Sequence, residues 1–171
     1  MSQKSFDYIF IGAGAAGLQL LLTMLQDDVL KEASYLILDS DPKVKNDKTW
    51  CFWEQEAGPY EEIVHKSWSK GEFITHKHHV DLDMDGYTYK MLRSIDFYNY
   101  ARQVLADASN VEWKEESVTE ATSEGVVHTD KHQYQGALIF DSRIPEAFSE
   151  DKKSTKLLQH FIGWVVQFDE D

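Results

Sequence analysis

The sequence is poor in cysteine, in positive charge and in long hydrophobic runs, and each shortage excludes a class of protein. Cys51 is the only cysteine in 171 residues, so no disulfide can form within the chain and a reducing, cytoplasmic compartment is expected. Lysine and arginine number 17 against 30 acidic residues, and the net charge of −13 opposes docking on nucleic acid or on an anionic membrane. With no apolar run of membrane-spanning length and no signal-peptide pattern at the amino terminus, we expect a soluble domain.

The chain opens with a strand–helix–strand pattern. The apolar run 6–11 predicts a buried strand, leucines from Leu18 to Leu25 recur at helical spacing, and residues 35–38 predict a second buried strand. This order is typical of a βαβ unit with parallel strands. We therefore predict an α/β fold whose core is a Rossmann-like FAD/NAD(P)-binding domain.

Beyond Pro42 the pattern changes to β-structure. Residues 72–84 alternate between apolar and polar and predict one half-exposed strand. Asp85-Gly86 predicts a type I′ turn that would set Leu82 opposite Tyr89. We interpret these strands as β-hairpins, or a β-meander, inserted in the dinucleotide-binding domain.

A second helix is predicted over residues 95–108, with Ser94 as its cap and Val104 on its buried face. Further strands are predicted at 111–115, 118–121, 126–130 and 137–141. Residues 1–145 then form the dinucleotide-binding domain. Residues 146–171 provide a connection and, over 157–168, an alternating first strand of a substrate domain, so the chain is expected to be truncated before or within that domain.

A glycine motif follows the first predicted strand. Gly12-Ala13-Gly14-Ala15-Ala16-Gly17 matches G-x-G-x-x-G and opens a predicted helix, whose N-terminus favours phosphate groups. Asp39 ends the next strand 22 residues later, where it can accept hydrogen bonds from a ribose 2′-hydroxyl and repel a 2′-phosphate. The motif predicts a dinucleotide site and leaves FAD and NAD open. Arg93 is a candidate for a phosphate or a flavin edge, and an exposed arginine at a helix start is the alternative.

An aromatic block follows at residues 47–53, Asp-Lys-Thr-Trp-Cys-Phe-Trp, which by itself is typical of core packing. Three further segments accompany it: the opening 8–17, Arg93-Ser94-Ile95-Asp96-Phe97-Tyr98, and Gln159-His160-Phe161-Ile162-Gly163-Trp164. In this order, from about residue 6 to 168, the chain resembles the lycopene β-cyclase family of carotenoid biosynthesis, in its bacterial form. Asp141-Ser142-Arg143 is similar to that family's pattern too.

The resemblance implies a flavoprotein with no net redox chemistry. Reduced FAD, with NAD(P)H as reductant, would be held by residues 12–17, Asp39, Arg93 and Asp141. Lycopene or a related carotenoid would be protonated at an end and closed to a β-ionone ring, with Trp50 and Trp53 on the substrate. The family's catalytic acid lies in a Phe-Leu-Glu-Glu-Thr type motif that this chain does not contain, so we assign no catalytic residue and expect the chain to be inactive alone.

Smaller signals point to packing and solvation. His76 and His78 would share a strand face with acceptable metal-ligand spacing, but no further ligand completes a set, so no metal is predicted. Cys51 is expected in the core, and the acidic run 112–120 on a solvated face. Phe161 and Trp164 would face the substrate portion and, if exposed, favour self-association.

Two other functions are compatible with these patterns. One is an FAD-dependent oxidoreductase or hydroxylase of similar fold, and the other is a dinucleotide-binding module without catalysis. The aromatic block favours the cyclase. Because a carotenoid dissolves in lipid, peripheral membrane contact of the complete protein is a further expectation. Mono- versus bicyclisation, β versus ε rings and the oligomeric state are left open by the sequence.

Overall fold

A computed structural model describes residues 4–150 together with 153, 155 and 157. Its largest sheet has six strands in the order β8-β2-β1-β11-β10-β9. The strands are β1 (Lys4–Ile11), β2 (Tyr35–Asp39), β8 (Val111–Glu115), β9 (Val118–Ala121), β10 (Val126–Thr129) and β11 (Gln133–Asp141). Strands β8, β2, β1 and β11 run parallel, whereas β9, β10 and β11 form an antiparallel meander.

The central parallel strand β2 is covered on both faces, as its continuous apolar run requires. In β2, Tyr35 and Ile37 pack on the side of helices α1 (Ala15–Met24) and α2 (Ser94–Ala106), while Leu36 and Leu38 contact Val127 of the meander on the other side. The predicted α/β fold with a β1–α1–β2 unit and an added meander is confirmed.

A three-stranded antiparallel sheet in the order β3-β7-β4 follows β2 along the chain. Its strands are β3 (Thr49–Glu54), β4 (Lys66–Trp68) and β7 (Thr88–Arg93). Short 3₁₀ turns lie at Leu30–Glu32 and Glu61–Ile63. A separate hairpin pairs β5 (Gly71–Ile74) with β6 (His79–Leu82).

The single strand predicted over 72–84 is therefore wrong. Thr75 Oγ1 accepts hydrogen bonds from the backbone N–H groups of Lys77 and His78, at 3.2 and 2.9 Å, and this side-chain turn folds the segment back on itself. The turn at Asp85-Gly86 is present, with φ of +48° and +78°. The predicted pairing across it is wrong, because β7 pairs with β3 and β4 and not with β6.

Helix α2 begins at Ser94, which is its first residue and not its cap. The Ser94 hydroxyl is fully buried and donates to Asp47 Oδ1 at 2.9 Å, while its oxygen accepts from the Lys48 N–H at 3.0 Å. This ties the start of α2 to the segment before β3. Val104, expected on the buried face, is 41% exposed, since Phe97, Ala101 and Leu105 form that face.

The acidic run 112–120 is not wholly solvated, because Glu116 is only 5% exposed. Its carboxylate accepts hydrogen bonds from Thr129 Oγ1 at 2.6 Å and Tyr134 OH at 3.0 Å, and His132 Nδ1 lies 2.8 Å away. Burial acts to raise the pKa of Glu116, but the hydrogen bonds from Thr129, His132 and Tyr134 outweigh it and leave the pKa below its ordinary value.

The last element in the described residues is the short helix α3 (Glu146–Glu150). The strand predicted over 157–168, and with it His160, Phe161 and Trp164, lies outside the described residues. In the part that is described, every helix is too short or too polar to cross a lipid bilayer.

Candidate functional site

The glycine motif lies at the carboxyl end of β1, where the chain turns into α1. The strand after β1 in the sequence, β2, lies on one side of it in the sheet, and β11 lies on the other. The order of the parallel strands reverses at this point, and in open α/β sheets ligands bind in the crevice outside such a switch point. The Gly12 N–H donates to the Leu38 carbonyl at 2.8 Å, which fixes the loop to β2.

The three glycines have different surroundings. Gly12 has a φ of +100°, and a Cβ there would collide with Ser142 Oγ. At Gly17, a Cβ would lie 3.2 Å from the Gly12 carbonyl oxygen, so the helix packs closely on the loop. In the described part of the chain, no atom lies within 4 Å of a Cβ on Gly14, and Gly14 has an ordinary φ of −80°. Open space above Gly14 is the cradle that a bound phosphate group would need.

Among the residues that the structure describes, no side chain caps Gly14, and the first turn of α1 contains no acidic residue of its own. The carboxylate of Asp39 lies nearby and binds the Ala13 N–H, one residue before the cap. The first N–H groups of a helix have no partner within the helix, and they carry the positive end of its dipole. This end of α1 therefore suits an anionic ligand such as a pyrophosphate.

Asp39 lies beside the loop, at the end of β2. Its Oδ2 accepts a hydrogen bond from the Ala13 N–H at 2.7 Å, and its Oδ1 accepts one from the Asp41 N–H at 2.8 Å. Lys43 Nζ lies 3.4 Å from the same carboxylate. Asp39 thus holds the loop in shape, and its oxygens keep further lone pairs for a sugar hydroxyl. The ribose contact itself stays a prediction.

Asp141 borders the loop from the end of β11. A cavity of about 240 Å³ runs from Gly12 and Leu20 to Phe140 and Asp141. The Arg143 guanidinium forms an ion pair with the Asp141 carboxylate, in which Nη2 and Oδ2 lie 2.6 Å apart, and it lowers the pKa of Asp141. Asp141 and two glycines of the loop, Gly12 and Gly17, therefore line the same cavity, and a contact of Asp141 with FAD stays a prediction.

Arg93 is not brought to the loop. Its guanidinium forms a bidentate ion pair with Asp96: Nε donates to Oδ2 at 2.7 Å, and Nη2 donates to Oδ1 at 2.9 Å. This carboxylate raises the pKa of Arg93. Arg93 lines a separate cavity of about 470 Å³ with Asp96, Tyr100 and Gln103, and no residue of the glycine loop lines that cavity. The predicted contact to a phosphate or flavin edge has no support in this arrangement.

The two candidate tryptophans lie on opposite faces of β3. Trp50 packs edge-on against Phe97, with ring centroids 5.8 Å apart, and is part of the core. Trp53 is 51% exposed and lies against Tyr89 at a centroid distance of 4.6 Å. Cys51 is exposed, so its expected core position is wrong: alternation along β3 turns it away from the face of Trp50.

Sequence reasoning missed an aromatic cavity next to the loop. Trp50, Phe52 and Tyr60 line a space of about 440 Å³ together with Ala15 and Gln19 of α1. Ala15 is the first residue of α1, so this cavity adjoins the candidate phosphate site. Alternation along β3, which puts Trp50 and Phe52 on one face, was the available signal for two of its walls.

Fold and loop together define a dinucleotide-binding α/β domain. The family described as lycopene cyclase protein matches residues 7–171, nearly the whole chain. The chain therefore belongs to the lycopene cyclase family, as the resemblance predicts. None of the curated proteins matches it.

Solved structures share its fold at low sequence identity. PqsL, a probable FAD-dependent monooxygenase from Pseudomonas aeruginosa, has a TM-score of 0.59 and 10% identity over 80% of this chain and 42% of its own. The C294A mutant of 2-methyl-3-hydroxypyridine-5-carboxylic acid oxygenase has a TM-score of 0.60 and 10% identity over 81% of this chain and 39% of its own. GidA of Aquifex aeolicus has a TM-score of 0.53 and 14% identity over 80% of this chain and 24% of its own. This chain therefore spans less than half the length of each.

Proposed function

We propose that this chain binds FAD, with the pyrophosphate over the N-terminus of α1. The open space above Gly14 carries the proposal, since it is bounded by the uncapped first turn of α1, and no atom of the described residues lies within 4 Å of a Cβ on Gly14. Asp39, next to the loop, is the group that would accept hydrogen bonds from the adenosine ribose, and its charge disfavours a 2′-phosphate. The FAD-dependent monooxygenase named among the similar structures supports FAD over NAD for this fold.

We further propose that the complete protein is a lycopene β-cyclase that closes the ends of lycopene to β-ionone rings without net redox change. Membership of the family over residues 7–171 supports this. Reduced FAD, formed with NAD(P)H as reductant, would supply negative charge that stabilises a carbocation. The chain's own residues would hold the phosphates, and Trp50, Phe52 and Tyr60 line a cavity where aromatic rings can stabilise a cation.

Trp50 is better suited than Trp53 to a substrate role. Trp50 lines the cavity beside the phosphate loop, whereas Trp53 lies on the other face of β3 and is half exposed. A protonating acid is not assigned to any residue of this chain.

Pigment analysis of lycopene-accumulating bacteria that express the complete gene tests the activity. We expect β-carotene or its monocyclic precursor to replace lycopene. Unchanged lycopene, together with steady NAD(P)H consumption by the purified protein, would instead indicate an oxidoreductase or hydroxylase. Titration of the 171-residue chain with FAD tests cofactor binding separately, because the proposed pyrophosphate and ribose contacts are made by residues that this chain contains.

A further inference from the structure

The β5–β6 hairpin has one apolar face and one mixed face, on which three metal-ligating side chains accompany Ile74. In its register, Phe73 lies opposite Val80 on the first face. On the second face, Glu72 of β5 lies directly opposite Asp81 of β6, and His79 lies two residues before Asp81 on β6. Because side chains alternate along a strand, Glu72, His79 and Asp81 project to the same side.

These three side chains converge. His79 Nε2 lies 3.0 Å from Glu72 Oε2, and one ligand atom from each of the three residues lies within 4.8 Å of the others. All three residues are exposed, so their side chains have the freedom to close on an ion, and an ion has open access from solvent.

The charge of this cluster is not compensated by protein groups. Two carboxylates directly opposite each other on paired strands repel. Within the described part of the chain, no lysine or arginine nitrogen lies within 4.0 Å of the Glu72 or Asp81 carboxylates, and the partner of Glu72 is the imidazole of His79. An imidazole and two carboxylates that have no lysine or arginine partner within the described residues can bind a divalent cation in place of a salt bridge.

We infer that Glu72, His79 and Asp81 form a binding site for a divalent transition-metal ion of the Zn²⁺ type. Ligand atoms at about 2.1 Å from one ion are about 3.0 Å apart at a right angle and about 3.4 Å apart at the tetrahedral angle. The distance of 3.0 Å between His79 Nε2 and Glu72 Oε2 fits this spacing. One imidazole and two carboxylates suit Zn²⁺ and its neighbours better than Ca²⁺, and water fills the remaining positions.

Bound metal would join the two strands of a hairpin that pairs with no other strand of the described chain. An isolated two-stranded hairpin is only marginally stable, so a bridge between β5 and β6 would order it. This inference is independent of FAD binding and of the proposed cyclisation. It also differs from the site considered from the sequence, since His76 and His78 lie in the turn between the strands and do not share a strand face.

Calorimetric titration of the metal-stripped 171-residue chain with ZnCl₂ tests the site. We expect about one Zn²⁺ per chain, and His79→Ala and Glu72→Gln should each weaken binding by about tenfold or more. The matched control is His76→Ala, an exposed histidine of the same hairpin turn, which should change the affinity by less than about twofold.

Imidazole proton resonances of the unsubstituted chain give a second readout that does not depend on how the variants fold. Zn²⁺ should shift the resonances of His79 and leave those of His132, which contacts Glu116, in place. The inference is overturned if His76→Ala weakens binding as much as His79→Ala, because the turn imidazoles would then hold the ion. Absence of binding at millimolar Zn²⁺ would overturn it as well.

Discussion

Replacing Gly14 by alanine separates phosphate binding from folding. Gly14 has a φ of −80° and a ψ of 173°, a conformation open to alanine, and the added Cβ would meet no atom within 4 Å. Alanine is a poorer helix N-cap than glycine, so the fold should lose no more than about 1 kcal/mol. For a domain of this size, that corresponds to a fall in Tm of about 2–4 °C.

The effect on FAD should be much larger, because the new methyl group occupies the space that a phosphate needs. If two charge-assisted hydrogen bonds from the first turn of α1 are lost, at about 1.5 kcal/mol each, the binding free energy falls by about 3 kcal/mol. That is about a hundredfold rise in Kd. Calorimetry or flavin fluorescence, with the unsubstituted chain and Gly14→Ala measured side by side, reports the difference.

Gly71→Ala is the matched control, since its Cβ would meet Leu82 Cδ1, the end of a flexible side chain, at 3.2 Å, in a hairpin outside the loop. It should bind FAD as the unsubstituted chain does. If Gly14→Ala also binds FAD within about twofold, the reasoning is refuted. Gly12→Ala cannot replace this test, because its positive φ and the collision with Ser142 disturb the fold itself.

Three further predictions concern stability and the ribose contact. Phe97→Ala removes a fully buried ring and should lower the free energy of unfolding by about 3–5 kcal/mol in urea, whereas Val104→Ala on the exposed side of α2 should change it by less than about 1 kcal/mol. Asp39→Ala breaks the hydrogen bond from the Ala13 N–H and should weaken FAD binding by about tenfold; unchanged Kd would argue against the ribose role. The hydrogen bonds of Glu116 outweigh its burial and hold its pKa in the folded state below the ordinary value of 4.5. The ionised carboxylate therefore stabilises the fold at pH values above 4.5, and this stabilisation is lost as the pH falls through the folded-state pKa. Glu116→Gln should therefore reduce the acid-induced loss of stability below about pH 4.5, measured by urea unfolding at several pH values.

The parallel core could be predicted because its signals are local. Uninterrupted apolar runs ending in glycine or an acid indicate buried strands, and the run 6–11 followed by Gly12 is such a case. The strands of the meander could also be predicted from local signals. They are short and are separated by turn residues such as Gly125, which has a φ of +83°.

The hairpin β5–β6 could not be predicted in this way, because its turn contains no glycine, proline or asparagine. The hydroxyl of Thr75 forms the turn instead, and the apolar alternation runs through it without a break. The pairing of Arg93 with Asp96 could not be predicted from the sequence either. A three-residue spacing permits a contact across one helical turn, but it does not tell which acid an arginine will choose.

The position of bound FAD is the most direct test of the proposed site, and a crystal structure of the 171-residue chain in complex with FAD would show it. We expect the pyrophosphate within hydrogen-bonding distance of the N–H groups at the first turn of α1, above Gly14, with the adenosine ribose against Asp39. FAD in the cavity beside Arg93 and Asp96, or no bound FAD at saturating concentration, would contradict the proposed site.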